Sequence, residues 1–377
     1  MENKSISLME RDKTLLNRAR ECLKGNILSG KNCAWGDDKI VIPSHGPYLG
    51  AWNWDSAFHA IGLSHFDLPL AYRQIKLFLD TQLPNGMFCD ALLANGKVFD
   101  RITKPPIMYF AFWNYFEKSG DREALEYAYP KFVKNEAFWT TYRQKNGLFF
   151  YSAFQDDDDR LRHCKLESGW DNSVRWDGGA ENMWAIDLNC YMFTAYLSLE
   201  KMAHALNYAN EANAWHEKAE QLREKIISTM WNEEEGCFCD VEIADGSFSK
   251  VLSPASFMPL YIGIASQSQA AAMKRMAEDA SLFYPLMPTV SYNDPEYSAS
   301  DYWRGPTWLN IAYFAIKGLK NYGFVELANA YKERILEMCA KEERGIYEYY
   351  DSKTGRGLGA YQFGWSAVFI QEFILTF

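Results

Sequence analysis

Segments with helical periodicity alternate between two kinds along this chain, and that alternation restricts the fold more than any other feature. An apolar, aromatic segment is followed after a short turn by one charged on a single face, as in Ser253-Pro254-Ala255-Ser256-Phe257-Met258-Pro259-Leu260-Tyr261-Ile262 against Lys274-Arg275-Met276-Ala277-Glu278-Asp279. A helix apolar all round is buried and one with a polar face borders solvent, so each pair reads as an inner and an outer helix. The spacing predicts the pairs 53–65 with 67–82, 104–119 with 121–143, 184–207 with 209–230, 252–265 with 268–280 and 305–320 with 322–340. The same contrast separates 361–375 from 10–25, so the two ends of the chain make a sixth pair and close a ring. Strand patterning is slight. The expected fold is all-α, an (α/α)6 toroid in one domain over 1–377.

The turns inside each pair are short, whereas the connections 26–52, 83–103, 144–183, 231–251, 281–304 and 341–360 are long. In an alternating ring these all emerge at one end, which is therefore the expected active face, because loops on a rigid scaffold carry function.

Composition excludes several classes. At 48% hydrophobic and 23% charged, the 377 residues can bury a large core. A net charge of -10 without a Lys/Arg run argues against nucleic acid as a partner. Met1-Glu2-Asn3-Lys4-Ser5 leads into a charged helical stretch without an apolar signal region, and no run approaches a membrane span, so a cytoplasmic protein is expected. Oligomeric state is left open. The eight cysteines follow no disulfide framework, and Cys237 and Cys239 lack the partners that a zinc site needs. Asp156-Asp157-Asp158-Asp159 lacks calcium-loop spacing, and Gly355-Arg356-Gly357-Leu358-Gly359 has neither a preceding strand nor a phosphate-loop Lys-Ser/Thr. No metal or cofactor is expected.

Chemistry concentrates in two carboxylates set among aromatic residues. Asp171 follows Trp170 within Glu167-Ser168-Gly169-Trp170-Asp171-Asn172-Ser173, where an indole wall favours the protonated acid; the plainer reading is a loop aspartate capping backbone amides. The neighbours Asn172, Arg175, Trp176 and Asp177 tip the balance toward function. Glu348 lies in a Tyr-rich turn, Tyr347-Glu348-Tyr349-Tyr350, and is read equally as a base for water or as a solvated glutamate. Such a pair suits glycoside hydrolysis, in which one carboxyl protonates the leaving oxygen and the other handles water or the anomeric carbon.

The remaining candidates are substrate contacts. Asp55, beside Trp54, opens an inner helix where it can cap the helix, bond sugar hydroxyls or do both. Trp52, Trp54, Trp170, Trp303, Trp308 and Trp365 stand in loop motifs, and their faces suit sugar C–H groups. Arg304 can fork to a sugar oxygen or fix its loop to an acid, and Gln362 is a further candidate contact.

Together these strings resemble glycoside hydrolase family 63 and, more distantly, the trehalases of the same clan. Glu167 to Asp177 is similar to the acid-bearing segment, and Tyr302 to Trp308 and Glu348 to Ser366 to the later signatures, over a span from Trp52 to Ser366. The resemblance implies the same toroid and inverting hydrolysis of an α-linked sugar, with Asp171 as general acid and Glu348 as general base. It further implies that Trp54 and Asp55 hold the nonreducing sugar while Arg304, Trp308 and Trp365 support the pocket. Gly46-Pro47-Tyr48-Leu49-Gly50-Ala51 departs from the trehalase lead-in, which points toward compact bacterial relatives acting on glucosyl- or mannosylglycerate. Lys104 stands before Pro105-Pro106 where those relatives commonly have Gln; inside the pocket it would favour an anionic aglycone, outside it would only cap a helix. The expected substrate is a disaccharide or small glycoside of glucose or mannose. The other reading is a toroid that binds or isomerises sugar without hydrolysing it.

Overall fold

A computed structural model describes residues 9–377; Met1 to Ser5, read above as lacking an apolar leader, lie outside the described residues. Its helices are α1 (Glu10–Gly25), α2 (Asn53–Leu63), α3 (Leu68–Asp80), α4 (Met108–Ser119), α5 (Arg122–Tyr142), α6 (Arg160–Glu167), α7 (Ile186–Ala205), α8 (Ala209–Met230), α9 (Met258–Tyr261), α10 (Gln267–Glu278), α11 (Leu309–Asn321), α12 (Val325–Lys341) and α13 (Gly364–Leu375).

The two kinds of segment take the two positions expected of them. Every residue of α2 is buried, whereas α8 buries only Ala212, Trp215, Ala219, Leu222, Ile226 and Met230, a single stripe at helical spacing. The inner helices α2, α4, α7, α9, α11 and α13 each pack on the next, and α13 returns to α2. Within that closure Gln371 donates to the Gly62 carbonyl at 2.7 Å. Outside, α3 lies on α2, α5 on α4, α8 on α7 and α12 on α11, while α1 covers α13 and joins the chain ends. Aspartate caps keep the turns short: Asp67 accepts from Leu70 N–H and Asp121 from Ala124 N–H. The fold is a helical toroid, and no helix among the described residues is long and apolar enough to cross a membrane.

Several expectations need correction. The fourth inner helix shrinks to a 3₁₀ turn, Pro254–Phe257, and the single α turn of α9, because Pro259 lacks the N–H that a continuous helix needs there. Helix α4 starts four residues late, since Pro105-Pro106 hold the chain extended before it. The connection 144–183 carries the unanticipated α6. Short antiparallel ladders also brace the loops, among them Gly50–Trp52 with Ala91–Leu93 and Tyr347–Tyr350 with Gly357–Tyr361. Glu348 therefore stands on a strand and not in a turn.

Candidate active site

At the N-terminal ends of the inner helices, the long connections border a small cavity. Its lining includes Trp52, Trp54, Asp55, Lys104, Asp171, Trp303, Glu348 and Trp365, drawn from segments far apart in the chain. A larger groove lies between α5, α7 and α8, but its one acid, Glu224, is exposed, so it cannot set two carboxyls about a bond.

Asp171 and Glu348 share this cavity and differ in their surroundings. The Asp171 Oδ1 atom is buried without a hydrogen-bond partner among the described residues. Loss of water there, reinforced by Asp90 and Glu348 and opposed by Lys104, pushes the Asp171 carboxyl up to about 6. Glu348 is 4% exposed, yet it accepts three hydrogen bonds: from Tyr48 Oη at 2.8 Å and Tyr302 Oη at 3.4 Å on Oε1, and from Ala360 N–H at 2.8 Å on Oε2. Burial raises its pKa, and those three donors oppose the rise by favouring the charged form. Asp55, in the first turn of α2, is held well above the usual carboxylate range by burial, against the pull of Lys104.

Two glycines permit this packing. Gly169 adopts φ +76°, and a Cβ there would collide with the Trp54 indole; Gly359, at φ +72°, passes so close to Glu348 that a Cβ would strike its carboxylate. Trp54 in turn meets Trp365 edge to face at 4.9 Å. Trp303 forms the next section of wall and is stacked on Trp308 at 3.8 Å. The indole N–H groups of Trp303 and Trp365 are buried and likewise have no partner among the described residues.

The structure places the other expected contacts behind this wall. Trp170 stacks on the far side of Trp303, and Trp308 lies between Trp303 and Tyr349 while donating to the Tyr302 carbonyl at 2.7 Å. Asn172 holds the Trp303 backbone N–H at 2.8 Å and Asp301 at 3.1 Å. Arg175 is wholly engaged by Asp187 and Asp240 at 2.8 to 3.0 Å, between the rings of Trp170 and Trp176. Arg304 pairs with Asp177 and Glu296 at 3.0 Å and fixes its loop. Gln362 bonds Asn26 and Ile346 beside α1 and lies off the cavity. Conversely, Tyr48, Gly169, Tyr302 and Phe363 line the cavity and were not singled out; each belongs to a string noted in the sequence, but nothing in its spacing marks the hydroxyl of Tyr48 for Glu348.

The buried Oδ1 atom of Asp171, the Glu348 carboxyl and the free indole N–H groups of Trp303 and Trp365 thus meet around one small cavity. The description of the mannosylglycerate hydrolase MGH1-like glycoside hydrolase domain matches residues 48–366. The chain belongs to this glycoside hydrolase family. Among curated members it is similar to the mannosylglycerate hydrolase of Thermus thermophilus, 26% identical over 87% of this chain and 95% of that protein. It is also similar to the glucosylglycerate hydrolase of Mycolicibacterium hassiacum, 22% identical over 96% of this chain and 97% of that one. Among solved structures, a GH63 mannosylglycerate hydrolase, also of Thermus thermophilus, superposes with a TM-score of 0.80 at 23% identity, covering 94% of this chain and 99% of that chain. As a member of the MGH1-like family, the chain is a glycosidase.

Proposed function

We propose that this glycosidase releases α-linked glucose or mannose from a small glycoside with inversion, using Asp171 as general acid and Glu348 as general base. One observation carries the division of roles: Asp171 is desolvated without a donor, whereas Glu348 receives three. Burial raises both carboxyls, but only Glu348 has donors that oppose the rise, which favours the proton on Asp171 and the charge on Glu348.

The chemistry follows from those states. The proton of Asp171 passes to the glycosidic oxygen as its bond to the anomeric carbon breaks. Glu348 takes a proton from a water molecule whose oxygen forms the new bond on the opposite face of the sugar. Asp55 and the indole N–H groups of Trp303 and Trp365 hold the hydroxyls of the departing monosaccharide, and the flat face of Trp54 receives its C–H groups. The names of the relatives support a glucosyl or mannosyl glycoside with a small aglycone.

Incubation with a panel of α-glucosides and α-mannosides, followed by proton NMR during the first turnovers, tests this reading. It expects the β-anomer to appear first. An initial α-anomer contradicts inversion, and a wholly inactive panel favours a toroid that binds or isomerises sugar.

A further inference from the structure

Among the described residues, Lys104 is the single cation on the cavity lining, which carries three carboxylates, Asp55, Asp171 and Glu348. It is 6% exposed, a costly position for an ammonium unless the surrounding charge requires it. Its backbone is held extended by Pro105, and the neighbouring Thr103 N–H is bound by Glu167 at 3.3 Å. The Nζ donates to the carbonyl of Leu166 and stands 3.7 Å from Asp90 Oδ1, which has no hydrogen-bond partner among the described residues. Lys104 thus fastens the segment that leads into Asp171 and lies at the centre of its charges.

The groups facing it come from every neighbouring element: Asp55 from α2, Asp90 from the loop after α3, Glu167 from α6 and Asp171 from the loop beyond. Glu167 is neutralised separately by Arg143 at 2.8 to 3.1 Å. Asp55, Asp90 and Asp171 therefore depend on Lys104. Around Asp171 itself stand Asp90, Glu348 and the exposed Arg162 of α6.

We propose that Lys104 is an electrostatic positioning residue that sets the alkaline limit of catalysis by holding a permanent positive charge against the acid Asp171. This rests on the assignment of Asp171 as acid. Burial works against the ammonium of Lys104, but Asp90, Asp171, Asp55 and Glu167 outweigh it and keep Lys104 charged above its ordinary range. That charge stabilises ionised Asp171 and so lowers the pH at which the acid loses its proton.

The test is the pH profile of kcat/KM for the wild type, Lys104→Gln and Lys104→Arg on an α-glycoside that the wild type hydrolyses. Removing the charge leaves Asp171 protonated to higher pH, so the alkaline limb of K104Q moves up by about one unit, while K104R keeps the wild-type limb. A merely structural lysine would lower kcat/KM without moving the limb, and an unmoved or lowered limb in K104Q overturns the proposal. If K104Q fails to fold, carbon NMR titration of the wild type decides: the Lys104 ammonium, held by its carboxylate neighbours, stays charged beyond the ordinary lysine range, and its deprotonation at or below that range overturns the proposal. A wild type inactive on the whole panel would remove the functional reading but not this coupling, which the NMR titration reads independently of turnover.

Discussion

Tyr48 donates its hydroxyl hydrogen to Glu348 Oε1 at 2.8 Å, joining residues 300 positions apart across the mouth of the ring. The bond fixes one carboxylate oxygen, favours the ionised form and so holds Glu348 as an acceptor for a proton from water.

Tyr48→Phe removes that donor and little volume. A hydrogen bond to a charged group contributes about 1.5–3 kcal/mol, so kcat/KM near neutrality should fall about ten- to a hundredfold. The acidic limb should move to higher pH, because Glu348 loses one of the donors that oppose its raised pKa. Steady-state kinetics across pH, with circular dichroism to show the retained fold, checks both effects.

The wild-type profile has its own sign. The free enzyme needs Asp171 protonated and Glu348 ionised, so kcat/KM should decline above about 6 as Asp171 loses its proton. It should also decline on the acid side at a pH above the usual glutamate range, because burial raises Glu348. A flat profile from pH 5 to 8 would conflict with the assignment of Asp171.

Asp171→Asn should nearly abolish turnover of unactivated glycosides and stabilise the fold at neutral pH. With the folded carboxyl pushed up to about 6 and the unfolded one near 3.9, the folded state binds the extra proton between those values. Stability of the wild type therefore falls as pH rises through that window, and the Asn variant escapes the penalty. Chemical denaturation should show a gain on the order of 1–3 kcal/mol at pH 7, shrinking toward zero below pH 4.

Arg175→Met should be harmful through the fold. It leaves Asp187 and Asp240 buried without their shared cation, which costs about 3–5 kcal/mol. Urea denaturation should show that loss, and the variant that still folds should keep its alkaline limb, unlike K104Q.

Much of the ring was legible because burial writes periodicity: α2 and α13 are largely apolar and α8 carries one stripe, so inner and outer helices could be told apart. The fourth inner helix misled because the apolar run around Phe257 outweighed Pro259, which interrupts the hydrogen bonds of a continuous helix. The cavity lining was partly legible, since Trp54, Asp55, Trp303 and Trp365 stand beside the long loops. Residue type could not separate wall from scaffold: Arg175 and Arg304 look like ligand contacts in sequence, yet their guanidinium groups are taken by Asp187, Asp240, Asp177 and Glu296. Nor does spacing betray Tyr48, whose role depends on a partner brought near only by ring closure.

The most direct measurement compares Asp171→Asn and Glu348→Gln on two substrates, an unactivated α-glycoside and an α-glycosyl fluoride, whose leaving group departs without a proton. The acid variant should be nearly inactive on the first and recover a large share of wild-type turnover on the fluoride, while the base variant stays impaired on both. Equal losses on the two substrates in both variants, or recovery by the Glu348 variant alone, would contradict the division of labour between these carboxyls.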